Sequence, residues 1–204
     1  MAGQEGVPKG HNLSSSQGVQ HAGEDEELVR KAVRGDADAF GALVERHQGA
    51  VAGFLMGMLR DPDAAEDLAQ EAFVKAFKAI GAFEGRSSFK TWVTQIALNE
   101  ARSRLRRQKL RRWLSLESPG EDDGRRLEET LRDELSDGRE RSALERRLEL
   151  DGAMQCLAPR EREVASLRLE GYSLGETAQA LGVSVGTVKS TLFSATRKMR
   201  EKLS

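Results

Sequence analysis

The side chains best suited to chemistry lie near the C-terminus. Thr187, Lys189, Ser190, Thr191, Ser194 and Arg197 fall in the run SVGTVKSTLFSATRKMR. Short hydroxyls and cations at this spacing form no covalent-catalysis group. They suit hydrogen bonds and ion pairs to base edges and phosphates, made by a helix lying in a major groove. Val185, Val188, Leu192 and Ala195 recur at helical spacing on the same run and give it an apolar stripe to bury. A preceding helix must position it. Ser173 with Glu176 three residues on is the spacing of a reciprocal capping box. Leu174, Thr177, Ala178 and Leu181 share one face, Gly182 can end the helix in a left-handed conformation, Val183 packs inward and Ser184 can cap the next helix. The segment Ser173–Arg200 therefore reads as a helix-turn-helix.

A second group combines rings and cations. Phe83, Phe89 and Trp92 come just before a strongly basic run that includes Arg102, Arg104, Arg106 and Arg107. Aromatic faces interleaved with cations suit the unstacked bases of a single strand. A flipped base also needs polar partners, and Arg86, Ser87, Ser88, Lys90, Gln95 and Asn99 supply them. Phe89 is expected in the core, and Trp92 with one ring face packed and the other open.

The third group is acidic. Carboxylates dominate from Glu24 to Glu71, bases from Phe73 to Arg112, where only Glu84 and Glu100 oppose them. One block thus reads as having an acidic end, suited to a basic protein partner, and a basic end suited to phosphates.

Composition narrows the class. The chain has 204 residues, 32% of them charged and 5% aromatic, with a net charge of −1. Alternating Val, Ile and Thr runs are absent, so an all-α chain is expected. The single cysteine, Cys156, precludes an intramolecular disulfide and is expected on the inward side of its helix as a small core residue. No metal-ligand spacing, Ser/His/Asp grouping or Gly-rich phosphate loop is present, so no enzyme, metal or cofactor is implied. No secretion signal or membrane-spanning stretch is evident, and a cytoplasmic protein without membrane insertion is expected.

Residues 1–23, rich in Gly, Ser and Gln, are expected to be disordered. A short helix carries Leu28, Val29 and Ala32. Asp36 or Asp38 caps a longer one with Phe40, Leu43, Val44, His47, Val51, Phe54, Leu55 and Met58 inward. Asp61-Pro62-Asp63 stops that helix and starts the next, which turns Ala65, Leu68, Ala69, Ala72 and Ala76 inward and ends at Gly81. Ser87 or Ser88 starts a fourth. From 113 to 143 Pro, Gly and carboxylates predict an acidic linker, partly helical around Leu127–Leu135. A second block, 144–204, holds a helix through Leu157, a break at Pro159, a helix to Glu170 and the reading motif.

With these residues in place, the chain resembles an extracytoplasmic-function (ECF) sigma factor of bacterial RNA polymerase, within the sigma-70 family. The resemblance lies in FGALVERH, DPDAAEDLAQEAFVKAFKAI, FEGRSSFKTWVTQIALNEARSRLRR and LAPREREVASLRLEGYSLGETAQALGVSVGTVKSTL. It implies two small helical domains, a region 2 bundle (24–112) and a region 4 helix-turn-helix (144–204), joined by a flexible linker. It implies that Asp63, Glu66, Asp67, Leu68, Gln70 and Glu71 bind the clamp helices of the polymerase largest subunit. Phe83 to Arg107 would capture and melt the −10 promoter element, with Phe83, Arg86, Ser87, Ser88, Lys90, Trp92, Gln95, Asn99, Arg102 and Arg106 in contact. Region 4 would read the −35 element through Thr187, Lys189, Ser190, Thr191, Ser194 and Arg197 and meet the polymerase flap with its other face. An anti-sigma factor is a further implied partner. Thr191 and Ser194 stand where relatives often carry Arg, which implies weaker phosphate anchoring. The alternative, a standalone helix-turn-helix regulator binding operators as a dimer, accounts for residues 144–204 but leaves the acidic and aromatic-basic groups unassigned.

Overall fold

The computed structural model describes residues 14–114 and 149–203, and the linker helix expected around Leu127–Leu135 lies outside them. Among the described residues there are helices and turns and no strand.

Helix α1 spans Ser14–Val33 and α2 spans Ala37–Leu59. The start of α1 lies inside the segment expected to lack structure. Once Leu28, Val29 and Ala32 anchor a helix, adding turns to it avoids the cost of nucleation. Asp36 is the cap of α2, its carboxylate accepting from the Ala39 N–H at 3.0 Å. Arg60 closes α2 in the left-handed region at φ 59° and donates its N–H to the Met56 carbonyl. Asp61 then caps α3 (Pro62–Ala79), with Pro62 at the first helical position, where its missing N–H is not needed. A single 3-10 turn, Ile80–Ala82, follows. Ser88, not Ser87, starts α4 (Phe89–Trp113), accepting from the Thr91 N–H at 3.1 Å.

The second block has a helical stretch at 149–155, then α5 (Pro159–Leu169), α6 (Leu174–Leu181) and α7 (Val185–Leu203). The Ser173–Glu176 capping box forms in both directions, at 3.1 and 2.8 Å. Gly182 takes φ 65°, a conformation that would strain a side-chain-bearing residue.

The apolar stripes of α2, α3 and α4 meet in one core whose centre includes Leu43, Val51, Phe54, Leu55, Ala72 and Val93, all fully buried. Truncating Phe54 there to Ala would cost about 3–5 kcal/mol. The same core continues into the second block through Val164, Leu167, Tyr172 and Val188. The blocks are therefore docked. They meet between α2 and α5, where Gly53 and Gly57, one turn apart, admit the facing side chains. A Cβ at Gly53 would lie 2.3 Å from a Glu170 carboxylate oxygen, and one at Gly57 2.4 Å from the Ser166 hydroxyl.

Candidate nucleic-acid and polymerase interfaces

Helix α3 presents its carboxylates as a consequence of its caps and stripe. With Ala65, Leu68, Ala69 and Ala72 buried, Asp63, Glu66, Asp67, Gln70 and Glu71 point outward and are exposed. Leu68 does not join them. It is 4% exposed and packs into the core, three residues after Ala65 and four before Ala72, so it supports the acidic face from beneath. Val74 and Phe77 extend that face with exposed apolar surface that the sequence pattern did not mark.

The acidic and basic runs lie on helices that pack against each other. The chain turns back after α3, and Lys75 pairs with Glu100 of α4 at 2.6 Å. Acidic and basic groups are thus divided between neighbouring helices, because the short connection folds the two runs side by side.

The first half of α4 and the turn before it gather the aromatic group. Phe83 and Trp92 pack with ring centroids 4.9 Å apart, and Phe89 is buried behind them, as its place in the apolar stripe requires. Trp92 is half-buried. Arg86, Ser88, Asn99 and Arg106 are exposed, and Ser87 is half-buried. Arg86 pairs with Glu84 at the surface, and Arg106 donates to the Ser103 hydroxyl.

Several residues of this set are engaged by the second block. Gln95 donates to the Gln179 carbonyl at 2.8 Å, and Gln179 donates to the Arg86 carbonyl at 2.7 Å. Arg102 forks the Glu163 carboxylate at 2.7 and 2.8 Å. Lys90 lies 3.8 Å from the centre of the Tyr172 ring, and burial lowers its pKa while Glu176 and Glu170 oppose the shift. The Tyr172 phenol shares a hydrogen bond with the Thr94 hydroxyl at 2.6 Å, and burial pushes its pKa up. Tyr172, Glu163 and Thr94 were not legible as functional residues. The one available signal was a lone tyrosine next to the turn before the reading motif.

On α7, Thr187, Lys189, Ser190 and Arg197 are exposed and Thr191 is half-exposed. Val188 and Ala195 are buried, whereas Val185, expected inward, is 40% exposed at the helix start. Ser194 departs from its expected place. Its hydroxyl turns to the Glu161 carboxylate at 2.7 Å, which also accepts from Lys198 at 2.7 Å and from the Ala158 N–H at 2.9 Å. These donors, Lys198 first and then Ser194, hold the Glu161 carboxyl down to about 2. Ser194 therefore braces α7 against α5. Phe193 lies on the exposed side of α7 with Lys189 and Arg197. It is 73% exposed, four residues after Lys189 and four before Arg197. Cys156 is also exposed rather than inward, its thiol donating to the Ala153 carbonyl; it falls on the turn just after the helical stretch 149–155, between the buried Met154 and Leu157.

The fold and these surfaces define a class: a two-block helical protein with a helix-turn-helix, an aromatic-basic helix and an acidic helix. Residues 43–111 match the family Sigma-70 region 2, and residues 147–199 match Sigma-70, region 4. The RNA polymerase sigma-H factor of Pseudomonas aeruginosa is 34% identical over 175 residues, covering 84% of this chain and 90% of that protein. The ECF RNA polymerase sigma-E factor of Escherichia coli K12 is 33% identical over 187 residues, covering 88% and 94%. Among solved structures, CnrH in complex with the cytosolic domain of CnrY is similar with a TM-score of 0.61 and 26% identity, covering 88% of this chain and 97% of that one. The chain belongs to the ECF sigma factors of the sigma-70 family. As such it is an RNA polymerase specificity subunit that directs transcription initiation. No helix among the described residues is long and apolar enough to cross a membrane.

Proposed function

We propose that three surfaces of this sigma factor divide promoter recognition between them. The outward face of α3, with Asp63, Glu66, Asp67, Gln70 and Glu71, binds the basic clamp helices of the polymerase largest subunit. Phe83, Arg86, Lys90, Trp92, Gln95, Asn99, Arg102 and Arg106 hold an unstacked −10 strand. Thr187, Lys189, Ser190, Thr191, Phe193 and Arg197 read the −35 duplex. Residues 24–112 and 144–204 are the corresponding regions 2 and 4, and the protein acts in the cytoplasm.

The observation that carries this reading is the pairing of a packed ring cluster, Phe83 on Trp92, with exposed cations on the adjoining turn and helix. A strand can stack on such a surface while its phosphates displace counterions. No bond is made or broken by the protein. Binding to the opened strand offsets unstacking, and the tether raises the effective concentration of each element at its reader. Nothing in the geometry favours a dimeric operator-binding regulator, which would leave the acidic face of α3 without a role.

The similarity to CnrH in complex with the cytosolic domain of CnrY supports a second protein, of the kind an anti-sigma factor would be, as a further partner. Charge reversal tests the polymerase surface. Asp63→Lys, Glu66→Lys and Asp67→Lys together should abolish co-purification with core polymerase while circular dichroism stays helical. Unchanged co-purification would refute the assignment.

A further inference from the structure

We propose that Glu161 is a positioning residue for −35 reading: from the first turn of α5 it fixes the roll of α7 about its own axis and so aims the outer face of that helix at the upstream duplex. The proposal rests on the assignment of α7 to the −35 element. The buried Glu161 carboxylate reaches α7 at two places one turn apart. One oxygen accepts from the Ser194 hydroxyl at 2.7 Å, and the other from the Lys198 ammonium at 2.7 Å. The second oxygen also accepts from the Ala158 N–H at 2.9 Å, which pins the carboxylate to the start of α5. The adjacent residue holds the other helix of the reading motif. Arg160 donates to the carbonyl of Leu181, the last residue of α6, at 3.2 Å. Two neighbouring side chains of α5 thus grip the motif on both sides of the Gly182 turn.

Apolar packing alone leaves this roll soft. The buried stripe of α7 centres on Val188 and Ala195, both fully buried, and Ala195 offers only a methyl group. Apolar contacts are non-directional, whereas hydrogen bonds to a carboxylate are strong and oriented. Ser194 and Lys198 are half-buried at the edge of the stripe, beside the outer face that carries Lys189, Ser190 and Arg197. A grip at that edge resists rotation most directly. A roll of about 20° would carry a group ~6 Å from the helix axis through about 2 Å, enough to break a hydrogen bond to a base edge. Lys198 first, and then Ser194, hold the Glu161 carboxyl down to about 2, so the grip stays ionised near neutral pH. Either grip alone still ties α7 to α5, which is why loss of Ser194 by itself leaves the helix aimed.

The test uses core polymerase reconstituted with the full chain. It compares affinity for a promoter with an intact upstream element and for one with that element scrambled. Glu161→Ala should lower the ratio of the two affinities about tenfold, roughly the loss of one bidentate base contact. Glu161→Gln keeps an acceptor for Lys198 and a partner for Ser194, and should restore most of the ratio. Ser194→Ala combined with Lys198→Met removes both grips and spares the start of α5. It should match Glu161→Ala, and it carries the test if Glu161→Ala folds poorly. Val51→Ala, in the core of α2, should lower the melting midpoint and leave the ratio at the wild-type value, which separates aiming from general stability. An unchanged ratio in Glu161→Ala and in the double variant overturns the proposal, as does equal loss of affinity on both promoters. A wild-type ratio of one would refute the reading of α7 itself. A ratio well above one that both variants keep leaves α7 as the reader and removes the positioning role from Glu161.

Discussion

Arg60 ends α2 in a left-handed conformation, and its guanidinium forks both carboxylate oxygens of Asp151, 91 residues later, at 2.8 and 2.6 Å. It is the one non-glycine residue with positive φ among the described residues. The backbone strain of such a residue, about 1–2 kcal/mol, is thus met by an ion pair with the other block. The end of a region 2 helix and the start of region 4 are held as one unit.

Removing one partner should be felt across the interface. Asp151→Ala leaves a half-buried guanidinium without its carboxylate and should cost about 1–3 kcal/mol of docking stability. Hydrogen exchange at the last turn of α2 should accelerate, with α3 unchanged. Protection equal to wild type would show that the pair contributes nothing.

Docking of α1 should depend on pH through His47. Its ring nitrogen lies 2.7 Å from Asp25, which favours the charged form, but burial dominates and lowers the pKa. The unfolded state then binds the proton more readily. Stability is full above the ordinary histidine value of about 6.5 and is lost as the pH falls through the folded-state value. Thermal midpoints between about pH 7.5 and about pH 5 should fall more for the wild type than for His47→Gln. Parallel decreases would contradict this.

Ser194 and Lys189 should separate stability from recognition. Ser194→Ala removes a donor to Glu161 and should cost about 1 kcal/mol of stability, with −35 discrimination kept. Lys189→Ala should leave the melting midpoint unchanged and lower the salt slope of −35 duplex binding by about 0.9. Since the Glu161 carboxyl is held down to about 2, its contribution is present above pH ~4.5 and lost as the pH falls toward that value. Loss of discrimination in Ser194→Ala would return that residue to the reading face.

Phe193→Ala should weaken −35 binding by about 1–3 kcal/mol if the ring packs on a base or methyl group. The effect should vanish on a promoter whose upstream element is scrambled. Equal loss on both promoters would place Phe193 on a protein partner.

Local signals fixed most of the helices because caps act within a few residues. Asp61-Pro62, Ser173 with Glu176, and Gly182 all stand where their side chains or backbone predicted. The buried stripes of α2 and α3 followed from periodicity, but the same periodicity puts Leu68 in the core, out of reach of a partner. What the sequence could not show were contacts between blocks. Gly53 and Gly57 read as neutral helix residues until Ser166 and Glu170 occupy their empty sides. Tyr172 gains meaning from Thr94 and Lys90, 78 and more residues away. The bond from Ser194 to Glu161 was not legible either, because a hydroxyl on the edge of an apolar stripe can face either way and the buried carboxylate that accepts from it lies on α5.

The proposed role of α4 is to hold an opened strand once polymerase is bound. The most direct measurement is permanganate reactivity of thymines in the −10 element of a promoter mapped from transcript starts. Core polymerase with the wild-type chain should make them reactive, the chain alone should not, and Lys90→Ala with Trp92→Ala should abolish reactivity while co-purification with polymerase persists. Undiminished reactivity in that double variant, or a symmetric footprint on duplex DNA from the chain alone, would contradict it.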